Sequence, residues 1–181
     1  MIEFYQYLSK TIEFIDGKPR YKAILNSYSR YKIGGIAGSL DRKGYRRIKC
    51  NVKGVSKSIA AHRLCYFITT GSMPFDQIDH INGIKDDNSP ENLRSCNNSQ
   101  NRRNAGVCKV NTSGYRGVAT ASRGSGKWCS SLVVNKKTHW LGTFTCKHEA
   151  ARVWNTAARM YHGHEFCFTN TIDHMNDNGG F

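Results

Sequence analysis

The run from Ile78 to Asn101 constrains this chain more than any other part of it. It reads Ile78-Asp79-His80-Ile81-Asn82-Gly83, then Asp86-Asp87-Asn88, Asn92-Leu93-Arg94 and Gln100-Asn101. Asp79 is expected to end a strand, with His80 on the opposite side of the pleat because neighbouring side chains alternate. Asn92 follows His80 by twelve residues, where the chain can return as a second strand. Asn97 can then cap a short helix from Asn98 to Ala105, stopped by Gly106, with Asn101 on its first turns.

That order of residues has a chemical logic. An imidazole with an ordinary pKa of ~6.5 is largely neutral near pH 7 and can take a proton from water. Its second nitrogen needs an orienting acceptor, which an asparagine side chain or a backbone carbonyl can supply. A carboxylate and an amide oxygen, completed by water and phosphate, suit a hard cation such as magnesium. Together they meet the needs of phosphodiester hydrolysis, a base for water and a cation for the developing charge. Asp-His alone says little: Asp173-His174 repeats it without a following strand and helix and reads as a decoy. Taken singly, Asp86, Asp87 and Asn88 read as turn formers, Asn92 as a backbone cap, and Glu91 as a solvent-facing acid. His62, set among apolar residues, reads as a packed core histidine.

The rest of the chain suits a polyanion. The formal charge is +14 and the pI about 9.7, which favours nucleic acid or an anionic membrane face. No stretch is long and apolar enough to span a bilayer, and Met1-Ile2-Glu3-Phe4-Tyr5 is not a basic-then-apolar leader. The membrane reading is therefore weak, and a cytoplasmic rather than secreted protein is expected, in the host cytoplasm if phage-encoded. The seven cysteines stand singly, with no C-x-x-C pair, so no structural zinc is expected and reduced apolar filler thiols are.

Residues 1–60 read as β-rich, with strands at 12–15 and 21–24 about Asp16-Gly17, and a third over 44–52 turning at Lys53-Gly54. The apolar run over 60–68 reads as a short helix ended by Gly71, with a strand as the alternative. Beyond Asn111-Thr112-Ser113-Gly114 come three strand-like stretches, 115–121, 127–134 and 138–144. An amphipathic helix follows, with Ala150, Val153, Trp154, Ala157 and Tyr161 on one stripe and Gly163 at its end. The tail from Thr169 is expected to fray. The fold class is thus α+β: a β-rich front half carrying a ββα element, then a three-stranded antiparallel sheet packed on one helix. The expected domains are 1–106 and 107–170, with a flexible tail at 171–181.

The ordered set at 78–101 resembles the HNH (ββα-metal) endonucleases, especially the phage-encoded homing type. The likeness covers about residues 1–105 and includes Gly44-Tyr45-Arg46-Arg47-Ile48, Ala61-His62-Arg63-Leu64 and Glu91-Asn92-Leu93-Arg94. It implies His80 as general base, Asn92 as the central asparagine that holds the loop and steers it, and Asp79 and Asn101 as ligands of one divalent ion. Many members of that family have a histidine at the position of Asn101. The asparagine here favours Mg2+ or Mn2+ over zinc. The resemblance further implies single-metal hydrolysis leaving 5′-phosphate and 3′-hydroxyl ends.

Residues 102–165 carry 11 Lys or Arg against 2 Asp or Glu, a concentrated polyanion binder. On the exposed face of its sheet, Arg116, Arg123, Lys127 and Lys136 or Lys137 can meet phosphates, and Trp128 and Trp140 offer flat surfaces. The competing reading packs both tryptophans under the helix, and Trp154 reads as core. Gly114-Tyr115-Arg116-Gly117-Val118, Gly126-Lys127-Trp128, Trp140-Leu141-Gly142-Thr143-Phe144, Glu149-Ala150-Ala151 and Tyr161-His162-Gly163 look like the Apetala/ethylene-response-factor DNA-binding domain. By that resemblance Arg116, Trp128 and Trp140 align with DNA contacts. Ala119 and Thr120 stand where plant members have arginines, so the plant target does not transfer.

The leading expectation is a site-directed endonuclease acting on double-stranded DNA, as monomer or dimer, with nicking natural for one site per chain. Two alternatives stay open, a DNA-binding regulator with an inactive nuclease fold and an RNA-binding protein.

Overall fold

Left-handed turns punctuate this chain and fix where its hairpins close. Asp16 and Gly17 have φ of 49° and 68°, Lys53 and Gly54 51° and 80°, Asn135 and Lys136 48° and 67°. Two successive positive φ values make the tight turn whose twist matches that of paired antiparallel strands. The computed structural model describes residues 1–23, 31–74, 76–122 and 124–172. The fold is α+β with small antiparallel sheets. The chain divides into two compact units, Met1–Asn101 and Arg102–Phe181.

The first unit begins with a helix, α1 (Ile2–Thr11), where sequence reading expects β structure. Phe4, Tyr5, Leu8 and Thr11 are its buried residues, the i, i+1, i+4, i+7 spacing of one helical stripe. That stripe outweighs the strand preference of the individual aromatic residues. β1 (Ile12–Ile15) and β2 (Lys18–Tyr21) then pair across the Asp16-Gly17 turn, three residues earlier than the second strand was expected, and Ile24 lies outside the described residues. β3 (Ser39–Leu40), β4 (Arg46–Val52) and β5 (Val55–Ala60) form a second sheet. α2 (Ala61–Thr70) follows, capped by Gly71 at φ 70°. Phe4, Tyr5, Leu8, Ile12, Ile48, Ile59 and Leu64 build one core, with α1 and α2 against β4. Each such buried side chain contributes about 1.5–3 kcal/mol relative to exposure.

The remainder of this unit is a ββα element. β6 (Gln77–His80) pairs antiparallel with β7 (Leu93–Cys96), a single 3-10 turn at Pro90–Asn92 intervening, and α3 (Asn98–Asn104) follows. Asn97 Oδ1 accepts from Gln100 N at 2.9 Å while Gln100 Oε1 accepts from Asn97 N at 2.9 Å, a reciprocal box that starts the helix.

In the second unit β8 (Val118–Thr120), β9 (Trp128–Val134) and β10 (Lys137–Phe144) form an antiparallel sheet in the order β10-β9-β8. α4 (Lys147–His162) packs on it. The buried residues of α4 are Ala150, Ala151, Trp154 and Ala158, so the stripe is turned from the one expected. Tyr161 is exposed and Ala151 and Ala158 take the inner positions, because small side chains let the helix lie close to the sheet. The residues after α4 are not frayed where described. Asn170 is buried, exchanges hydrogen bonds with Asn155 and the Arg116 backbone, and Ile172 packs beside Val118 and Ala150. Asp173-His174 and the rest of the tail lie outside the described residues. Cys50, Cys65 and Cys96 are buried free thiols, and burial pushes the latter two up to about 11. Among the described residues no helix is long and apolar enough to cross a membrane.

Candidate active site

The strand pairing decides which polar groups meet. In the β6–β7 ladder Asp79 lies opposite Arg94 and His80 opposite Leu93. Residues opposed in a ladder share a face, so Arg94 is placed to meet the Asp79 carboxylate. Asp79 Oδ2 accepts from Arg94 Nε at 2.9 Å and Nη2 at 2.7 Å, with the carboxylate buried and the guanidinium partly so. Gln77, two residues before Asp79, projects from that same face. Its Oε1 accepts from Asn101 Nδ2 at 2.5 Å. The first turn of α3 therefore sets Asn101 on the Asp79 side of β6.

His80 projects from the other face. Its ring centroid lies 5.3 Å from that of His62 on α2, in an edge-on arrangement, and 6.0 Å from Tyr45. His80 is 4 % exposed. Burial pushes its imidazole below the ordinary histidine value, against the pull of the Asn88 side chain and of the Asp79, Asp87 and Asp86 carboxylates. His62 is driven down to about 4, first by burial, then by His80, Arg63 and Arg47. Both rings are thus favoured neutral near pH 7, the form in which an imidazole accepts a proton.

Between the strands, Asn92 closes the loop. Its Oδ1 accepts from Asn82 N at 3.0 Å, its Nδ2 donates to Asp87 O at 2.8 Å, and its carbonyl accepts from Ile81 N at 2.9 Å. It therefore acts on the backbone that carries His80. Asp86, Asp87 and Asn88 do more than turn the chain. Asp87 accepts from Asn82 and Ser89, while Asp86 takes Arg46 Nε at 2.7 Å, Nη2 at 3.0 Å and Lys18 Nζ at 2.6 Å. Burial alone would raise the Asp86 carboxyl, but Arg46 and Lys18 outweigh it and hold it below the ordinary carboxylate range. Glu91 is exposed.

Reading the sequence alone missed several members of this site. His62, taken as a core residue, is half-buried beside His80, Asn88 was read as a turn former, and Tyr45, Gln77 and Arg94 had no role assigned. Arg94 and Gln77 were within reach of the strand period, since both follow once Asp79 is set opposite residue 94. His62 and Tyr45 arrive from distant elements and left no local signal.

The second unit presents a sheet face of its own. By register, Ala119, Cys129, Ser131, Val133, Thr138 and Trp140 share the side opposite α4. Trp140 is 62 % exposed there, whereas Trp128 packs against Val118 and Ala150 and Trp154 is buried. Lys127, Lys136 and Lys137 are exposed at the strand ends. Arg123 lies outside the described residues. Arg116 is committed within the chain: its guanidinium donates to the carbonyls of Arg103 at 2.6 Å, Arg102 at 2.9 Å and Ala105, and lies over the Trp154 and Phe168 rings. A half-buried cation holding three carbonyls has a folding role that the sequence pattern did not suggest.

Residues 60–103 match the family model described as HNH endonuclease, a stretch that includes Asp79, His80, Asn92 and Asn101. The match marks this part of the chain as nuclease-type. No curated protein matches the chain.

Proposed function

We propose that the protein is a metal-dependent HNH endonuclease of the homing type that nicks duplex DNA. In this reading residues 1–106 cut and residues 107–170 position the enzyme on its target. The observation that carries it is the β6–β7–α3 element itself, which holds a buried neutral-leaning histidine, a loop-closing asparagine, and a carboxylate on the face where Asn101 is bound. His80 takes the proton from the attacking water, and Asn92 acts as a positioning residue through the loop.

A divalent ion would be held by Asp79 and Asn101. The donor chemistry fits: one carboxylate and one amide oxygen are hard ligands, and Asn101 commits its nitrogen to Gln77, which leaves the oxygen limb of the amide on the other side. Among the described residues no three His, Cys, Asp or Glu gather around a common point, so water and substrate phosphate would complete the shell, as suits Mg2+ or Mn2+. Such an ion, when bound, neutralises charge on the phosphate and its leaving oxygen. Arg94 orients the Asp79 carboxylate from the opposite strand. The exposed Trp140 with Lys127, Lys136 and Lys137 supports the DNA-positioning role, by way of backbone contacts that carry little sequence information.

One observation favours the second reading, a DNA-binding regulator on an inactive nuclease fold: Asp79 Oδ2 is already occupied by Arg94. Supercoiled plasmid incubated with magnesium or manganese, against EDTA, separates the two. Nicked circles with 5′-phosphate ends only in the metal lanes are expected. Intact plasmid at every metal concentration, with binding retained, would favour the regulator, and preferential competition by RNA would favour neither.

A further inference from the structure

The loop that joins β6 to β7, residues 81–92, starts at the candidate base. A stretch of that length outside the sheet is ordinarily among the least stable parts of a fold. Asn92 ties its two ends together, but its middle is held by elements far away in the chain. Asp86 accepts from Lys18 Nζ twice, at 2.6 Å through Oδ2 and at 2.8 Å through its backbone carbonyl. Arg46 donates Nε to Oδ1 at 2.7 Å and Nη2 to Oδ2 at 3.0 Å, and its Nη1 reaches Gly38 O at 3.1 Å. The Asp86 and Arg46 side chains are 19 % and 12 % exposed, so water and salt screen the pair little. Two residues on, Asn88 N and Nδ2 both donate to Gly17 O, at 2.9 and 3.3 Å. Gly17, at φ 68°, lets the β1–β2 turn come this close, since a Cβ there would collide with Asp87 Oδ1 and Ser89 Oγ.

We propose that Asp86 is a positioning residue: gripped by Lys18 and Arg46, it holds the 81–92 loop, and through it His80, in the arrangement that strand cleavage needs. The proposal rests on the nuclease role of His80 given above. The path from clamp to base is short. Asp87 O, next to Asp86, accepts from Asn92 Nδ2 at 2.8 Å. Asn92 in turn accepts from Ile81 N at 2.9 Å and from Asn82 N at 3.0 Å, the two residues that follow His80.

An aspartate that only forms a turn needs no more than backbone donors of its own loop, as Asp41 takes Lys43 N and Tyr45 N. Asp86 instead commits both oxygens to cations from β2 and β4. Gly17, Lys18 and Arg46 all precede the matched stretch of residues 60–103, so the front hairpin becomes part of the apparatus that aims the base. An amide cannot replace the carboxylate. In Asp86→Asn one oxygen becomes an NH2 group, which must face a guanidinium or an ammonium that also only donates.

The test compares the full chain with Asp86→Asn and Lys18→Met, singly and together. Nicking kinetics, melting, and hydrogen exchange of the Ile81 and Asn82 amides are read for each. Asp86→Asn is expected to lower kcat about 100-fold, the scale for displacing an aligned group by about 1 Å, while KM holds. Exchange at Ile81 and Asn82 should quicken well below the melting temperature. Lys18→Met should lower kcat by a smaller factor. The double variant should be no slower than Asp86→Asn alone, because groups that act as one device do not add. Unchanged kcat in folded Asp86→Asn, whatever its melting temperature, overturns the inference and leaves the nuclease reading standing. Losses that simply multiply in the double variant overturn it too, since Lys18 would then act by another route. If Asp86→Asn does not fold, Lys18→Met decides: quickened exchange with reduced kcat supports the clamp, and wild-type values of both overturn it. A wild type that never nicks DNA refutes the nuclease reading itself, and the positioning role falls with it.

Discussion

The two units handle their polar residues in opposite ways. In the first, the motif side chains are buried or half-buried and tied into the fold: Asp79 to Arg94, Asn92 to the Asn82 and Asp87 backbone, Asn101 to Gln77. In the second, the residues that resemble DNA contacts scatter. Trp140 and the three lysines are exposed, Trp128 is packed, and Arg116 is bound to carbonyls of its own unit. A buried polar group must find partners or cost about 1–3 kcal/mol, so a motif made of such groups carries its geometry with it. An exposed side chain is under no such demand, and a shared motif there reports the fold as readily as the ligand.

The largest effect should come from the first unit. His80→Ala is expected to reduce nicking about 100- to 10,000-fold, the range for a positioned acid or base. Duplex affinity in the same variant should stay within about twofold, since one buried neutral ring adds little to phosphate binding. Single-turnover nicking and a binding titration read the two separately. Nicking that persists at wild-type rate would remove the chemical distinction between the units.

A smaller effect follows from burial. The His62 value of about 4 in the fold lies below the ordinary 6.5, so between those limits the unfolded chain binds a proton that the folded chain refuses. Stability is then fully present above about pH 6.5 and falls as pH drops toward 4, by at most about 1.4 kcal/mol per pH unit for one group. His80 is lowered for the same main reason, and so is His162 in the second unit. His62→Gln should therefore flatten the acid dependence of melting only in part. An unaltered slope between pH 7 and pH 5 would mean that His62 reaches solvent in the fold.

The same contrast governs what the sequence disclosed. The ββα order, the cap at Asn97, the turn at Lys53-Gly54 and the sheet-plus-helix of the second unit were legible, because each rests on local spacing or on backbone that only certain residues adopt. The helix α1 was missed because its Ile, Phe and Tyr have strand preference, and only packing against β4 and α2 decides for the helix. The His62–His80 and Arg46–Asp86 meetings join residues 18 and 40 apart, as their numbers show, and no window of sequence contains them. The internal contacts of Arg116 were hidden for a related reason: in Gly-Tyr-Arg-Gly the arginine looks like surface, yet Gly117 at φ 75° brings the chain so close to Trp154 that a Cβ would collide with the indole. The guanidinium lies over that same ring.

A further pair of variants divides the residues of the second unit most sharply. Trp140 touches no core cluster, so Trp140→Ala should leave the melting temperature unmoved and weaken duplex binding about tenfold, near the lower end of aromatic–base contributions of about 1–3 kcal/mol. Arg116→Met should do the reverse. It strips donors from the Arg102, Arg103 and Ala105 carbonyls, and loss of hydrogen bonds from a charged donor costs about 1.5–3 kcal/mol each in the reference case. Melting would drop, while the salt dependence of binding by the folded fraction stays as it was, because no phosphate contact is removed. If the salt slope instead fell by about one unit in Arg116→Met, the guanidinium would be leaving its carbonyls to meet phosphate, and the two arginine roles would be one.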